Sequence, residues 1–373
     1  MSDLPLNHKK VIAIGIWIII NSVFVFKYSY RLSLPIAVAC TAIYTGMLCF
    51  ILWFHAKRSI AYTDKVWFLF IGIVTIISVV VFRSIPVDTI RVDRWEMIQI
   101  FWDSVHNGIY PYSVHSPAGN YPGPMPVYFL IAYPFYLIQE IGWLGIIALW
   151  VTFLFVRSKH LGPERQTYIM LLVLLSVTIY YEIITRSTIL LNSILFVLYY
   201  VRLKNIHKYS AWEFYGYALL GGLIFSTRNV FAIPMILWGM SMLISRQIKF
   251  VRLFKWCLCF FFSFALTFLP FLISDPALFL QYNPFIVQGD ALLPFTHIIL
   301  FIALAFILPM LYKKDSDVTF LSIILLFSVV TYHVIYAIFN LGIDAYLFAG
   351  ADISYYIFCM PFILELLTRK DHD

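Results

Sequence analysis

Charge is scarce in this chain. Asp, Glu, Lys and Arg make up only 12% of its 373 residues, while 62% are apolar, where an ordinary soluble domain carries about 25% charged residues. A sequence so poor in charge cannot cover a water-facing surface, and one so apolar is not disordered either. Cysteine is sparse as well. Cys40, Cys49, Cys257, Cys259 and Cys359 all fall inside apolar runs, so no disulfide framework is implied. The chain lacks a Gly-rich phosphate loop and a Gly-x-Ser-x-Gly nucleophile motif, and its basic loops are too short to hold a nucleotide-binding domain. His106 and His115 sit in a Pro- and Gly-broken stretch without metal-ligand spacing, and Cys257-x-Cys259 reads as helix packing, so no metal or other cofactor is indicated. Asn-x-Ser/Thr acceptor sites are also lacking, which favours a bacterial inner membrane over the endoplasmic reticulum.

What is present is a series of apolar runs long enough to cross a bilayer, which takes roughly 17 to 25 residues per helix. They fall at about 11–26, 34–54, 66–82, 166–182, 187–201, 213–227, 229–245, 256–273, 293–312, 318–339 and 347–368, with a further apolar stretch at 125–156. The expected fold is an all-α, polytopic transmembrane bundle, a single domain over 1–373 with no soluble module and no internal repeat. Lys9 and Lys10 ahead of the first run resemble a signal peptide, but no small-residue cleavage site follows, so the run reads as an uncleaved helix.

The formal charge of +7 comes from short clusters between runs, which speaks for membrane orientation rather than nucleic acid. With both termini in the cytoplasm, the basic clusters near 9–10, 57–65, 157–165, 202–208, 246–255, 313–314 and 369–370 share one side. Lys27, Arg31, Arg83, Arg91, Arg94, Arg186 and Arg228 then fall outside. The alternation holds only if 125–157 makes one net crossing, with its Pro-rich half before Gly142 interfacial or re-entrant. That gives about 12 crossings, with 13 hydrophobic helices as the alternative.

The longest polar segment, 83–124, lies outside. Trp95, Ile98, Trp102, Val105 and Ile109 recur there at helical spacing opposite Asp93, Glu96, Asp103 and His106, which predicts an amphipathic helix on the membrane surface with its aromatic residues in the lipid boundary. Asp93-x-x-Glu96 has the spacing of a capping box, yet a carboxylate fixed at that helix start is also placed to take a proton from a bound hydroxyl. Asp88 competes for the same role. Arg186 and Arg228 stand at outer ends of helical hairpins, where an arginine reaches an anionic ligand, an acid such as Glu182, or lipid headgroups. Outer stretches 274–292 (Asp275, Gln281, Tyr282, Asn283, Gln288, Asp290) and 340–356 (Asp344, Asp352, Tyr355, Tyr356) carry groups suited to sugars and equally to any interfacial loop.

Asp93, Gly108-x-Tyr110-Pro111-Tyr112 and Tyr121-Pro122-Gly123-Pro124 leading into an apolar helix resemble the first outer loop of the GT-C superfamily of membrane glycosyltransferases. The likeness is to its bacterial polyprenol-phosphate-mannose-dependent branch, with an extra residue before Pro111-Tyr112 and a Gly between Pro122 and Pro124. Arg228 sits where that branch often carries a basic residue. The resemblance implies an inverting transfer of a hexose such as mannose, from a polyprenyl-phosphate donor to a lipid-linked or glycan acceptor on the outer face. Asp93 would be the catalytic residue. Arg228 and Arg186 would hold the phosphate, with Asp88, Arg94, His106, Tyr112, Asn120 and Tyr121 as further substrate contacts. Membrane lipids are the other expected partners. Two other functions share this composition: a transporter or lipid flippase, and an outward-facing polysaccharide polymerase or ligase.

Overall fold

The computed structural model describes residues 4–90, 92–291, 293–312, 317–349 and 352–370. The Asp88 side chain, Arg91, the side chains of Gln288 and Asp290, and Lys313–Lys314 lie outside the described part. Helices make up 79% of the structure, and no strand occurs among the described residues. In chain order they are α1 (Leu6–Tyr30), α2 (Leu34–Arg58), α3 (Asp64–Ser84), α4 (Arg94–His106), α5 (Pro126–Leu137) and α6 (Trp143–Arg157). These are followed by α7 (Pro163–Leu174), α8 (Val177–Ile184), α9 (Ile189–Leu203), α10 (Ala211–Phe225), α11 (Ala232–Ile244) and α12 (Phe250–Leu266). The chain ends with α13 (Leu269–Ser274), α14 (Pro276–Gln281), α15 (Pro284–Ala291), α16 (Phe295–Tyr312), α17 (Val318–Leu341) and α18 (Met360–Thr368).

Five of these, α1, α2, α3, α16 and α17, are long and apolar enough to cross a membrane singly; α7 and α8 make a sixth span if the pair, bent by 51°, is taken together. Outward-facing Ile43, Ile76, Phe261 and Leu311 are exposed, as expected of side chains that meet lipid. Local signals set the helix ends: Ser33 accepts from the amide of Ile36 to start α2, Ser210 and Glu213 form a capping box at α10, and Gly342 at φ 85° ends α17.

The break between α7 and α8 leaves backbone groups that need partners in an apolar surround. The Tyr44 hydroxyl donates to the carbonyl of Leu175 at 2.8 Å, while Asn21 Oδ1 accepts from Ser176 Oγ at 2.7 Å and from the Thr178 amide at 3.3 Å. The bend is thus held by polar side chains of α1, α2 and α8.

Polar side chains gather at two opposite poles. At the first, Asp317 meets Lys9 at 3.5 Å and Arg369 at 2.9 Å, and Glu365 meets Arg369 at 2.9 Å and Lys204 at 2.6 Å. Asp64 and Arg157 pair there at 2.8 Å. The second pole holds the far ends of α1, α3, α8, α10 and α17 together with α4. Helix α5 starts and ends at this second pole. The Val127 amide donates to the carbonyl of Ser226 just past α10, and beyond the other end Glu140 pairs with Arg186, which also bonds the carbonyl of Phe82 in α3. Only α6 carries this part of the chain to the first pole.

Glycines set one close helix contact. In α10, Gly222 abuts α12, where Ser263 Oγ donates to the carbonyl of Leu219 at 2.8 Å, and a Cβ at Gly222 would collide with Ser263 Oγ and the Phe260 carbonyl. Small residues of this kind let membrane helices approach closely. Gly222→Ala should therefore cost about 1 to 3 kcal/mol by overpacking and lower the melting temperature, while Gly216→Ala, where a Cβ meets nothing within 4 Å, should leave it unchanged. Equal melting of the two variants would refute the close approach.

Candidate functional site

The site is built around α4. The helix docks by Met97, Ile98, Phe101 and Ser104, and protein rather than lipid covers Ile98 and Trp102 of the face expected to lie in the membrane boundary. The reason is α5: Phe101 stacks on Phe129 with centroids 3.6 Å apart, and Trp102 donates its indole N–H to the Phe129 carbonyl at 3.0 Å and packs on Tyr133 at 4.3 Å. A protein helix takes the aromatic residues that the sequence pattern offers to lipid, and only Val105 and Ile109 of that face remain exposed.

Asp93 precedes α4 and does not cap it, since its side chain makes no bond to the first-turn amides. Its Oδ2 instead accepts from Asn120 Nδ2 at 2.6 Å and from Ser116 Oγ at 3.2 Å. Gly119, at φ 83°, allows the turn that returns Asn120 to Ser116, and the Ser116 amide closes it on the Asn120 carbonyl at 2.9 Å. The Pro/Gly-broken loop thus grips one carboxylate oxygen and leaves Oδ1 without a hydrogen bond among the described residues. Glu96 lies nearby. Partial burial, and then the Asp93 charge, raise its carboxyl above the usual range.

Arg94 is engaged by protein. Its guanidinium donates to Glu182 at 3.3 Å, to Ser187 at 2.7 Å and to Asp352 at 2.5 Å, and it also bonds Ser354. It ties α4 to the end of α8 and to the turn that opens the final helical segment. Arg186 is fully buried, with its donors given to the carbonyls of Phe82, Ile85 and Ile184 and its Nε 3.4 Å from Glu140. The Arg186–Glu182 pair, one of the alternatives open in the sequence, is not formed, because Glu182 pairs with Arg94 and Arg186 with Glu140.

Arg228 differs from both. It lies over the Tyr128 ring at 4.9 Å, and its Nε is buried with no hydrogen-bond partner among the described residues. Its charge and that of Asp93 both lie within electrostatic range of the Tyr355 phenol. Tyr121 packs against Tyr282 at 5.4 Å at the loop rim.

Tyr112 is buried, its hydroxyl donating to the Pro124 carbonyl at 3.3 Å and its ring against Phe101 and Phe271, so it braces the loop from inside. Tyr110 is also buried. Burial, and then the nearby Asp275 carboxylate, push its phenol up to about 12. His106 is remote from Asp93, at the other end of α4, between Tyr133 and Tyr136.

Two clefts flank α4. One, of about 650 Å³, runs past Trp95, Gln99, Asp103 and His106 to Tyr136, Glu140 and Arg186. The other, of about 660 Å³, is lined by Ile100 and residues 113–117 with Gly119, beside the Asp93 grip. No group of three or more His, Cys, Asp or Glu among the described residues is placed to hold a metal. Sequence reasoning missed the role of Ser116, Glu140 and Asp352. Only Asp352 carried a signal, as an outer acid with an unpaired outer arginine to meet.

Comparison with known families, characterised proteins and solved structures finds no match to this chain. Its functional reading rests on its own residues.

Two outcomes follow from this geometry. Arg94→Lys leaves one of two carboxylates unpaired, since an ammonium lacks the guanidinium fork, and should lower stability by about 3 kcal/mol; wild-type melting would show that the clamp contributes nothing. Glu96 favours its protonated form in the folded state, so stability should fall as the pH rises from the ordinary value of 4.5 through the raised one. Glu96→Gln should flatten that slope in melting curves across this range, and an unchanged slope would assign it to another group.

Proposed function

We propose that this chain is a GT-C-type membrane glycosyltransferase that moves a hexose from a polyprenyl-phosphate donor to a glycan or glycolipid acceptor at the outer membrane face, with inversion. The observation that carries this reading is the Asp93 carboxylate, released from helix capping and gripped through one oxygen by Asn120 and Ser116.

In the proposed reaction Oδ1 of Asp93 accepts the proton of an acceptor hydroxyl. The hydroxyl oxygen forms a bond to the anomeric carbon as the bond from that carbon to the phosphate oxygen breaks. Polyprenyl phosphate leaves with the electron pair, and Arg228, whose Nε has no partner, meets the growing charge. Arg94 and Arg186, already engaged, position α4 and the neighbouring helix ends around the reacting groups. Asn120 holds the base, and Tyr121 borders the entry.

The topology that fits this reading has twelve passes: α1, α2, α3, α6, the α7–α8 pair, α9 to α12, α16, α17 and the 353–368 segment. Helices α4, α5 and α13 to α15 then stay at the outer pole. Both termini lie with the Lys9–Asp317–Arg369 cluster in the cytoplasm, in keeping with retention of basic residues there, and a bacterial plasma membrane is the proposed location.

The test is transfer from a panel of radiolabelled polyprenyl-phosphate sugars by lipid-reconstituted protein, with a native lipid or glycan extract as acceptor. Asp93→Asn should lower turnover by about 10² to 10⁴ at unchanged melting temperature, and Arg228→Ala should weaken the donor at normal protein yield. Transfer that survives in Asp93→Asn would move the base to Asp88. No transfer from any donor by the wild type would refute the enzyme and bring the transporter and polymerase readings forward.

A further inference from the structure

The cleft on the His106 side of α4 is not part of the Asp93 grip. At about 100° per residue, Trp95, Gln99, Asp103 and His106 share one strip of the helix, and Asp93 points about 120° away from its centre. Across the cleft stand Tyr136 and Glu140. The Tyr136 hydroxyl donates to Asp103 at 2.6 Å, a bond that pushes its phenol up to about 12, and His106 Nδ1 lies 3.3 Å from the same oxygen.

We infer that this cleft binds the neutral, hydroxyl-rich part of a glycan, held by Gln99, Asp103, His106 and Glu140 along the ring edges and by Trp95 and Tyr136 against the ring faces. Three features of the cleft select that chemistry. Its volume of about 650 Å³ lies in the range of small-ligand sites, roughly 300 to 1,000 Å³, and holds several sugar rings. It alternates hydrogen-bonding side chains with aromatic ones. It also repels anions. Asp103 and Glu140 bring two carboxylates, while the one arginine among its lining residues, Arg186, has given its donors to three carbonyls and to Glu140. A phosphate or uronate there would lie near carboxylates with no unpaired arginine or lysine among the lining residues.

On the transferase reading the glycan is the distal part of an extended acceptor, whose reacting hydroxyl lies outside this cleft at Asp93. Its identity as acceptor rests on the transferase reading; its binding does not.

The experiment is equilibrium binding of radiolabelled neutral trisaccharides of gluco, manno and galacto configuration to the full-length protein in lipid nanodiscs. A uronate-containing trisaccharide and a hexose 1-phosphate serve as anionic probes. At least one neutral trisaccharide should bind saturably, and each anionic probe should bind at least about tenfold more weakly. Gln99→Ala and Asp103→Asn should each weaken the neutral ligand by about tenfold, the effect of one lost hydrogen bond to a desolvated partner, at wild-type melting temperature. Gln99 is exposed, so its substitution keeps the test usable should Asp103→Asn fail to fold. No saturable neutral binding, equal binding by Gln99→Ala and wild type, or preference for an anionic probe would overturn the inference. Neutral binding without turnover of any donor would keep the cleft and remove the transferase reading. Transfer with an acceptor KM unaffected by Gln99→Ala would do the reverse.

Discussion

The second pole depends on one buried guanidinium. Arg94 joins carboxylates that lie 88 and 258 residues away in the chain, Glu182 and Asp352, and a charge withdrawn from water is tolerated only when it is paired and hydrogen-bonded. Because Arg94 directly follows Asp93, this clamp also fixes where α4 begins and how the neighbouring carboxylate is presented. The loop that grips Asp93 then closes through Ser116 and Asn120. Stability and site geometry at this pole share one origin.

The opposite pole is organised by the same rule with other residues. Asp317 and Glu365 collect Lys9, Lys204 and Arg369 from α1, α9 and the chain's final helix, so four distant helix ends converge on two acids. Between the poles the packing is apolar and aromatic, with small residues where helices touch and side-chain hydrogen bonds where a helix breaks. Asn21, bonded to Ser176 and to the Thr178 amide, satisfies the backbone at the break between α7 and α8.

Composition and hydropathy made the helical, membrane-embedded class legible. The charge alternation led to the expectation that the Pro-rich half before Gly142 is interfacial or re-entrant; in the structure α5 is a 12-residue helix, short of the length of a single span. Two of the basic residues that fell outside by the alternation, Arg94 and Arg186, each bond several chain segments at the second pole. Their partners were not legible. Glu182 lies four residues from Arg186, and a local reading pairs them, but the approach of α4 gives Glu182 to Arg94 and leaves Arg186 to Glu140. The face of α4 was misjudged for a related reason. A stripe of Trp and Ile at helical spacing looks the same whether lipid or another helix covers it, and here α5 covers Trp102. Tyr112 sits in a motif that reads as a ligand contact, yet its ring fills the core beneath the loop. Asp93 carried the spacing of a capping box, but the Gly119 turn brings Asn120 and Ser116 to its side chain, which makes no cap bond.

The most direct measurement of the account is the side of the membrane reached on either flank of α5 and α6. In a variant with the five cysteines replaced by alanine, single substitutions Ala118→Cys and Ser158→Cys bracket these two helices, and both positions are exposed. A membrane-impermeant maleimide applied to intact cells should label Ala118→Cys at once and Ser158→Cys only after permeabilisation. Labelling of both from the same side would show that α5 and α6 each cross or that neither does, and would dissolve the outer site on which the functional reading stands.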